Sequence, residues 1–313
     1  MAVDKVFYNQ SSESKLGWKP DWFGALYNDE DLILAVKSWQ KKMGLVADGM
    51  VGPTTYRRIW TEREASISSH QPKSVGYGVS SNNICKDSAY IVHNGAFLPI
   101  DWGKVILWDD PNGFKIDKGN YYDYSGEPER NPNVFVNHWD VCLSSESCAK
   151  VLNRRGVSVH FCIDNDGTIY QILDTQHGAW HASNVYGNKY GIGVEISNAY
   201  YTKYQDWYDK NGFGRRPVCS DSVVHGKKLK EHTDFYPVQI QALKALWKAI
   251  HVGLGIPLEC PTNTDGSLLK GVSSDVANGR FEGFVNHYNY TKNKIDCANL
   301  DMISLIEEVK NSL

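Results

Sequence analysis

The sequence has no apolar run approaching the roughly 18 residues that a membrane-spanning helix requires. The longest near its start is Leu32-Ile33-Leu34-Ala35-Val36, so membrane insertion is not expected. The first thirty residues carry neither a basic n-region nor an apolar h-region, and no secretory signal peptide is expected. There is no excess of positive charge: 33 Lys and Arg face 36 Asp and Glu, a net charge of −3. Without a positive field, little would draw the chain to nucleic acid or an anionic membrane surface, and neither is expected as a partner. Cysteine is sparse and odd in number. Cys85, Cys142, Cys148, Cys162, Cys219, Cys260 and Cys297 are scattered over 313 residues, unlike a small disulfide scaffold, and are read as reduced thiols. Gly (27) and Pro (11) are at ordinary levels, which excludes collagen-like and disordered classes.

A chain of this length predicts two folded units. In the first, Leu32, Ala35, Val36, Trp39 and Met43 recur at helical spacing. Asn28 with Asp31 three residues later reads as the helix start, and Gly44 sits where a left-handed C-cap belongs. Asp48-Gly49 and Gly52-Pro53 force turns, and Thr54 or Thr55 is placed to cap a short second helix through Tyr56, Ile59 and Trp60. Residues 1–65 are therefore expected to form a small all-α bundle. The Ser-rich, aperiodic stretch 66–84 reads as a linker. From 85 to 313, strand-like segments at 89–92, 104–108, 134–137, 157–163, 168–173 and 191–196 alternate with helix-like ones, the clearest at 238–253 and the last at 301–313. This predicts an α/β (α+β) domain with a central mixed sheet flanked by helices.

Three regions concentrate chemistry-bearing residues: 135–140 (FVNHWD), 158–198 (from SVHFCIDNDGTIYQ to GIGVEISN) and 286–297 (NHYNYTKNKIDC). Taken singly, each histidine is more often a satisfied core residue than a metal ligand. Asp164 to Gly167 reads as a hairpin turn, with Asn165, Asp166 and Gly167 supplying positive φ angles, and His160, Asp164 and Asp166 are read as structural.

Two resemblances sharpen this. The pattern Q-x-x-x-G-L-x-x-D-G-x-x-G-P-x-T, filled by Gln40, Gly44, Leu45, Asp48, Gly49, Gly52, Pro53 and Thr55, resembles the peptidoglycan-binding module of cell-wall hydrolases. Its nine acidic and nine basic residues within 1–65 cancel, so any affinity for the wall is expected to come from hydrogen bonds and stacking. From about residue 85 onward the chain resembles the zinc-dependent N-acetylmuramoyl-L-alanine amidases shared by phage endolysins, bacterial recycling enzymes and animal peptidoglycan recognition proteins. The matching motifs, in order, are His138 closing an apolar strand; Ser158, His160, Ile163, Asp164, Asp166, Gly167, Ile169, Tyr170 and Gln171; Trp180-His181-Ala182 ahead of Ile192-Gly193-Val194-Glu195; and His287 ahead of Lys294-Ile295-Asp296.

The resemblance implies Zn²⁺ held by His138, His287 and Asp296, with Glu195 as general base, Lys294 stabilising the oxyanion, and His181 and Trp180 lining the substrate groove. Val159 stands where a subset of the family has Tyr before the histidine, which points to the branch that relies on Glu195. Cys297 is the alternative third ligand. Cys142 and Cys148 have the spacing of a disulfide in the animal proteins and are read here as thiols. The function implied is a modular hydrolase of bacterial peptidoglycan, monomeric, made in a host cytoplasm and reaching the wall after holin-type membrane opening. The rival readings are a muropeptide-recycling amidase, a non-catalytic peptidoglycan receptor and a phage structural protein with a vestigial amidase domain.

Overall fold

The computed structural model describes residues 3–70, 89–125 and 130–313. The N-terminal part has three helices, α1 (Lys5–Leu16), α2 (Glu30–Lys42) and α3 (Pro53–Ser66). The N-cap of α2 is Asp29, one residue after the expected Asn28, because its carboxylate accepts from the backbone of Asp31 and Leu32. Gly44 takes the expected left-handed conformation. Helix α3 is longer than expected and is not capped by Thr54 or Thr55. Gly52 caps it and Pro53 opens it, a position where the missing N–H costs nothing.

The glutamine of the turn motif explains the spacing. The Gln40 amide donates to Asp48 Oδ1 at 2.9 Å, Met50 O at 3.1 Å and Thr55 Oγ1 at 3.0 Å, and its carbonyl accepts from Gly49 N at 2.9 Å. One buried side chain thus ties α2, the turn and α3 together. Asn9 adds α1 to the knot through Gly49 O and Val51 N.

The larger unit is built on a six-stranded sheet of β1 (Val105–Leu107), β2 (Val134–Trp139), β3 (Phe161–Ile163), β4 (Ile169–Gln171), β5 (Gly191–Ile196) and β6 (Gly283–Asn286). The spatial order is β6-β2-β5-β3-β4-β1, and all neighbours are parallel except the hairpin pair β3 and β4. In that hairpin only Gly167 has positive φ, of 80°; Asn165 and Asp166 do not, contrary to expectation. Asp166 Oδ1 instead accepts from Thr168 N at 2.9 Å. A separate hairpin joins Ala89–His93 to Ala96–Ile100.

Strand alternation decides what each face carries. Phe135, Trp139, Phe161, Ile163, Ile192, Val194, Ile196 and Phe284 point to one face. They pack under α5 (Pro237–Leu254), through Leu243, Leu246, Trp247 and Ile250, and α6 (Met302–Lys310), through Leu305, Ile306 and Val309. The same alternation sends His138, Cys162 and Glu195 to the opposite face. There α4 (Ser145–Arg155), N-capped by Ser144, contributes Cys148, Val151 and Leu152 to a second apolar cluster.

That second cluster does not end at the sheet. It runs on into Leu16, Trp18, Phe23, Leu32, Val36, Val51, Tyr56 and Ile59 of the N-terminal helices, so the two parts share a core. Along α3, Trp60, Thr61 and Glu64 form the docking stripe. Trp60 Nε1 donates to Ser147 Oγ at 2.9 Å, Thr61 Oγ1 to Val141 O at 2.9 Å, and Ser147 Oγ in turn to the Glu64 carboxylate. Beside the stripe, Arg58 stacks 3.6 Å over the Tyr201 ring and pairs with Glu62 at 3.1 Å. The helices are thus docked on the sheet unit. Of the expected linker, residues 71–84 lie outside the described residues, while 68–70 form a helical turn whose His70 ring packs 4.2 Å from Trp60. Among the described residues, no helix is long and apolar enough to cross a membrane.

Candidate active site

Strand register assembles the site. β2 and β5 are parallel and pair His138 with Glu195, each close to the C-terminal end of its strand. β6 pairs with β2 on the other side, Asn286 opposite Asn137, so His287 emerges beside His138. The Asn137 amide donates to Val285 O at 2.8 Å and its carbonyl accepts from Trp247 Nε1 at 3.2 Å, which locks that register from the apolar face. The loop after His287 folds back, with Tyr288 N donating to Asp296 O at 3.2 Å. The site thus lies at the carboxyl ends of parallel strands, where open α/β sheets place their ligands.

Three atoms converge there. His138 Nδ1 lies 2.8 Å from His287 Nδ1 and 3.2 Å from Asp296 Oδ2, and His287 Nδ1 lies 3.0 Å from the same oxygen. All three residues are buried, His138 at 2 % exposure and His287 at 3 %. Two imidazole nitrogens and a carboxylate oxygen, mutually within ligand distance, form a group able to hold a metal ion. Two nitrogens and one oxygen also make the donor set of an open zinc site. Burial, then the neighbouring His287, lowers the His138 pKa to about 4, which keeps its imidazole neutral as a ligand must be. Burial alone would raise the Asp296 carboxyl, but the two imidazoles outweigh it and hold the group well below the usual range. Cys297, the alternative, belongs to the apolar core instead.

The remaining candidates surround this group. His181 Nδ1 lies 2.9 Å from His138 Nε2, the kind of outer partner that fixes a ligand's tautomer. The His181 ring lies over Gly193, where an added Cβ would come within 2.8 Å of it, which is why the strand needs glycine two residues before Glu195. The backbone N–H groups of His181 and Ala182 are held by Asn188 Oδ1, and that of Trp180 by Ser158 Oγ at 2.8 Å. Glu195 Oε2 is buried without a hydrogen-bond partner. Burial, reinforced by the Asp140 and Asp296 carboxylates, raises the Glu195 pKa to about 8. Lys294 is lowered by burial, against the pull of Asp296. Trp180, His181, Glu195 and Lys294 line, with the three converging residues, one cleft of about 590 Å³. His160 is buried and satisfied, with Nδ1 accepting from Gly193 N and Nε2 meeting His177 O, both at 3.0 Å. Cys142 and Cys148 are free and buried.

Residues 128–296, more than half of the chain, match the family model described as N-acetylmuramoyl-L-alanine amidase. The chain belongs to that family. Residues 15–59 of this amidase match a peptidoglycan binding domain model, and this stretch precedes the sheet unit. No curated protein matches. Solved structures resembling this amidase include a mutant endolysin from Bacillus subtilis, 18% identical over 66% of this chain and 97% of that one, with a TM-score of 0.37. Another is the amidase LysC from Clostridium intestinale, 14% identical over 66% and 97%, TM-score 0.37. A third is AmpDh3 from Pseudomonas aeruginosa in complex with anhydromuramic pentapeptide, 19% identical over 63% and 66%, TM-score 0.37.

The sequence motifs did not point to two further cleft residues, Arg57 and Arg155. Arg57 lies in the part of the chain read as wall-binding, and Arg155 in a helix with no motif. Nothing in either segment marks an active-site role.

Proposed function

We propose that this amidase is a zinc-dependent, two-module peptidoglycan hydrolase that cuts the amide between the lactyl group of N-acetylmuramic acid and L-alanine. The observation that carries the reading is the convergence of His138, His287 and Asp296 beside an unpartnered buried carboxylate, Glu195, on the adjacent strand. His138, His287 and Asp296 would hold the ion, which supplies Lewis acidity and a water of lowered pKa.

The chain's own groups account for the rest. Glu195 takes the proton of the attacking water and delivers it to the leaving amine of alanine. A carboxylate raised towards neutrality by burial is suited to both halves of that exchange. The Lys294 ammonium faces the negative charge that develops on the carbonyl oxygen. His181 fixes the orientation of His138, and Trp180 offers an apolar wall to the sugar or peptide. The pairing of this site with a peptidoglycan-binding module supports action on the polymeric wall over action on soluble fragments, the recycling alternative. Host lysis, with passage from the cytoplasm through a holin-type lesion, is the role proposed for that action.

The test is zinc content together with release of new N-terminal alanine from purified sacculi, before and after chelation. Stoichiometric zinc and activity that is lost on chelation and regained with zinc are expected. A metal-free protein with full activity, or a zinc protein that releases no alanine, would refute the proposal.

A further inference from the structure

The cleft is walled on one side by the peptidoglycan-binding module. Arg57 lies on α3 three, four and seven residues before Trp60, Thr61 and Glu64, the residues that dock this helix on the sheet unit. Spacings of three, four and seven share a helix face, so the docking that fixes α3 also turns Arg57 into the cleft. There it joins Arg155, from the last turn of α4, and Lys294.

The two arginines lack the hydrogen-bonded partners that the neighbouring Arg58 has. Arg58 is answered by Glu62, Tyr201 and Tyr204. Among the described residues, neither Arg57 nor Arg155 forms an ion pair or donates a hydrogen bond through its guanidinium, and Arg155 Nε is buried without an acceptor. Both guanidiniums line the one cleft; burial, then the like charge of Arg57, lowers Arg155 to about 10, with the Glu195 carboxylate acting in the opposite direction. Two like charges on one cleft and a buried donor without an acceptor are both unfavourable in the free protein. An anion between them would relieve both costs, and a planar guanidinium pair matches a carboxylate best.

We propose that Arg57 of the module and Arg155 of the amidase unit form a shared subsite for a carboxylate of the substrate's peptide. The module is then part of the active site as well as an anchor. This rests on the amidase reading above and assigns Arg57 as a specificity residue.

The test uses the full chain and two small substrates, a muramoyl dipeptide with both peptide carboxylates free and the same compound with both converted to carboxamides. Wild type should show the lower KM on the free acid. Arg57→Ala should raise that KM by about tenfold or more, leave KM on the diamide unchanged and leave kcat on both nearly unchanged, with Arg57→Lys falling between. A KM that does not move, or that rises equally on both compounds, overturns the subsite. If wild type cleaves neither compound, the amidase reading fails separately, and calorimetric titration still decides the subsite. Preferential binding of the free acid that Arg57→Ala abolishes supports it, and equal binding of both compounds by wild type refutes it.

Discussion

Glu64 gives the docking of the two modules a pH dependence that can be worked out. Its side chain is 2% exposed, between α3 and α4, accepting from Ser147 Oγ. Burial is the largest influence on it and raises its pKa from 4.5 to about 8, against the opposing hydrogen bonds of Ser147 and Trp60. Between those values the unfolded chain has lost the proton and the folded chain keeps it. The group's contribution to stability is therefore fully present below 4.5 and is lost as pH rises towards 8. Each pH unit inside that window removes up to about 1.4 kcal/mol, and integrating the two titrations from pH 5 to 8 gives a loss of about 3 kcal/mol. Glu64→Gln retains the shape and an acceptor for Ser147 but carries no proton to lose. Urea unfolding of both proteins at pH 5, 6, 7 and 8 should show the variant gaining on wild type by about 3 kcal/mol across the series. Asp140, itself raised to about 7 by burial, adds a small share to the raising of Glu64, so the difference between the proteins reads Glu64 together with that coupling. A difference that stays flat from pH 5 to 8, or that grows in the opposite direction, would show that Glu64 is ionised in the folded protein and that the interface is wetter than described.

Three further outcomes are expected. Asp296→Ala should lose zinc and hydrolysis while Cys297→Ser keeps most of both, because Asp296 Oδ2 meets the two imidazoles and Cys297 packs in the core; the reverse pattern in metal analysis would move the third ligand by one residue. Glu195→Gln should keep zinc and lose roughly 10²- to 10⁴-fold in kcat, the usual worth of a positioned proton carrier, and a loss of less than about tenfold would remove Glu195 from that role. Deleting residues 1–70 should uncover the outer face of α4, where each newly exposed apolar side chain costs about 1.5–3 kcal/mol. The truncated chain should therefore unfold at markedly lower urea, and an unchanged midpoint would show that the modules do not share a core.

Much of the site was legible in the sequence because its residues sit on strands with strong patterns. Val134-Phe135-Val136-Asn137-His138 and Gly191 to Ile196 are apolar enough to be read as buried parallel strands, and their motifs fixed which histidine and glutamate to watch. β6 was harder to see, since four residues, Gly283–Asn286, between polar flanks give no run long enough to stand out. Helix α1 carries Gln10-Ser11-Ser12-Glu13-Ser14 in its body, a composition that reads as loop until Asn9 is seen buried against the Gly49 turn. The docking of the modules was not legible at all. Ser147 is an ordinary helix serine in sequence, and only the folded chain brings it within reach of Trp60 and Glu64. Arg57 was missed for the same reason, because its place in the cleft follows from a contact between residues about ninety positions apart.

The apolar cluster that runs from Trp18 and Tyr56 into Val151 and Leu152 bears on how this protein can be recombined. Modular wall hydrolases are commonly thought of as interchangeable cassettes joined by flexible spacers, cut and rejoined wherever the spacer allows. Here the cut falls at the spacer in sequence but runs through a continuous hydrophobic interior in space. A transplanted module would leave the outer face of α4 with no counterpart, and a transplanted catalytic unit would leave Trp60 and Glu64 facing a foreign surface. The exchangeable piece is the three N-terminal helices together with the exposed side of α4, a boundary that no reading of spacer composition would draw.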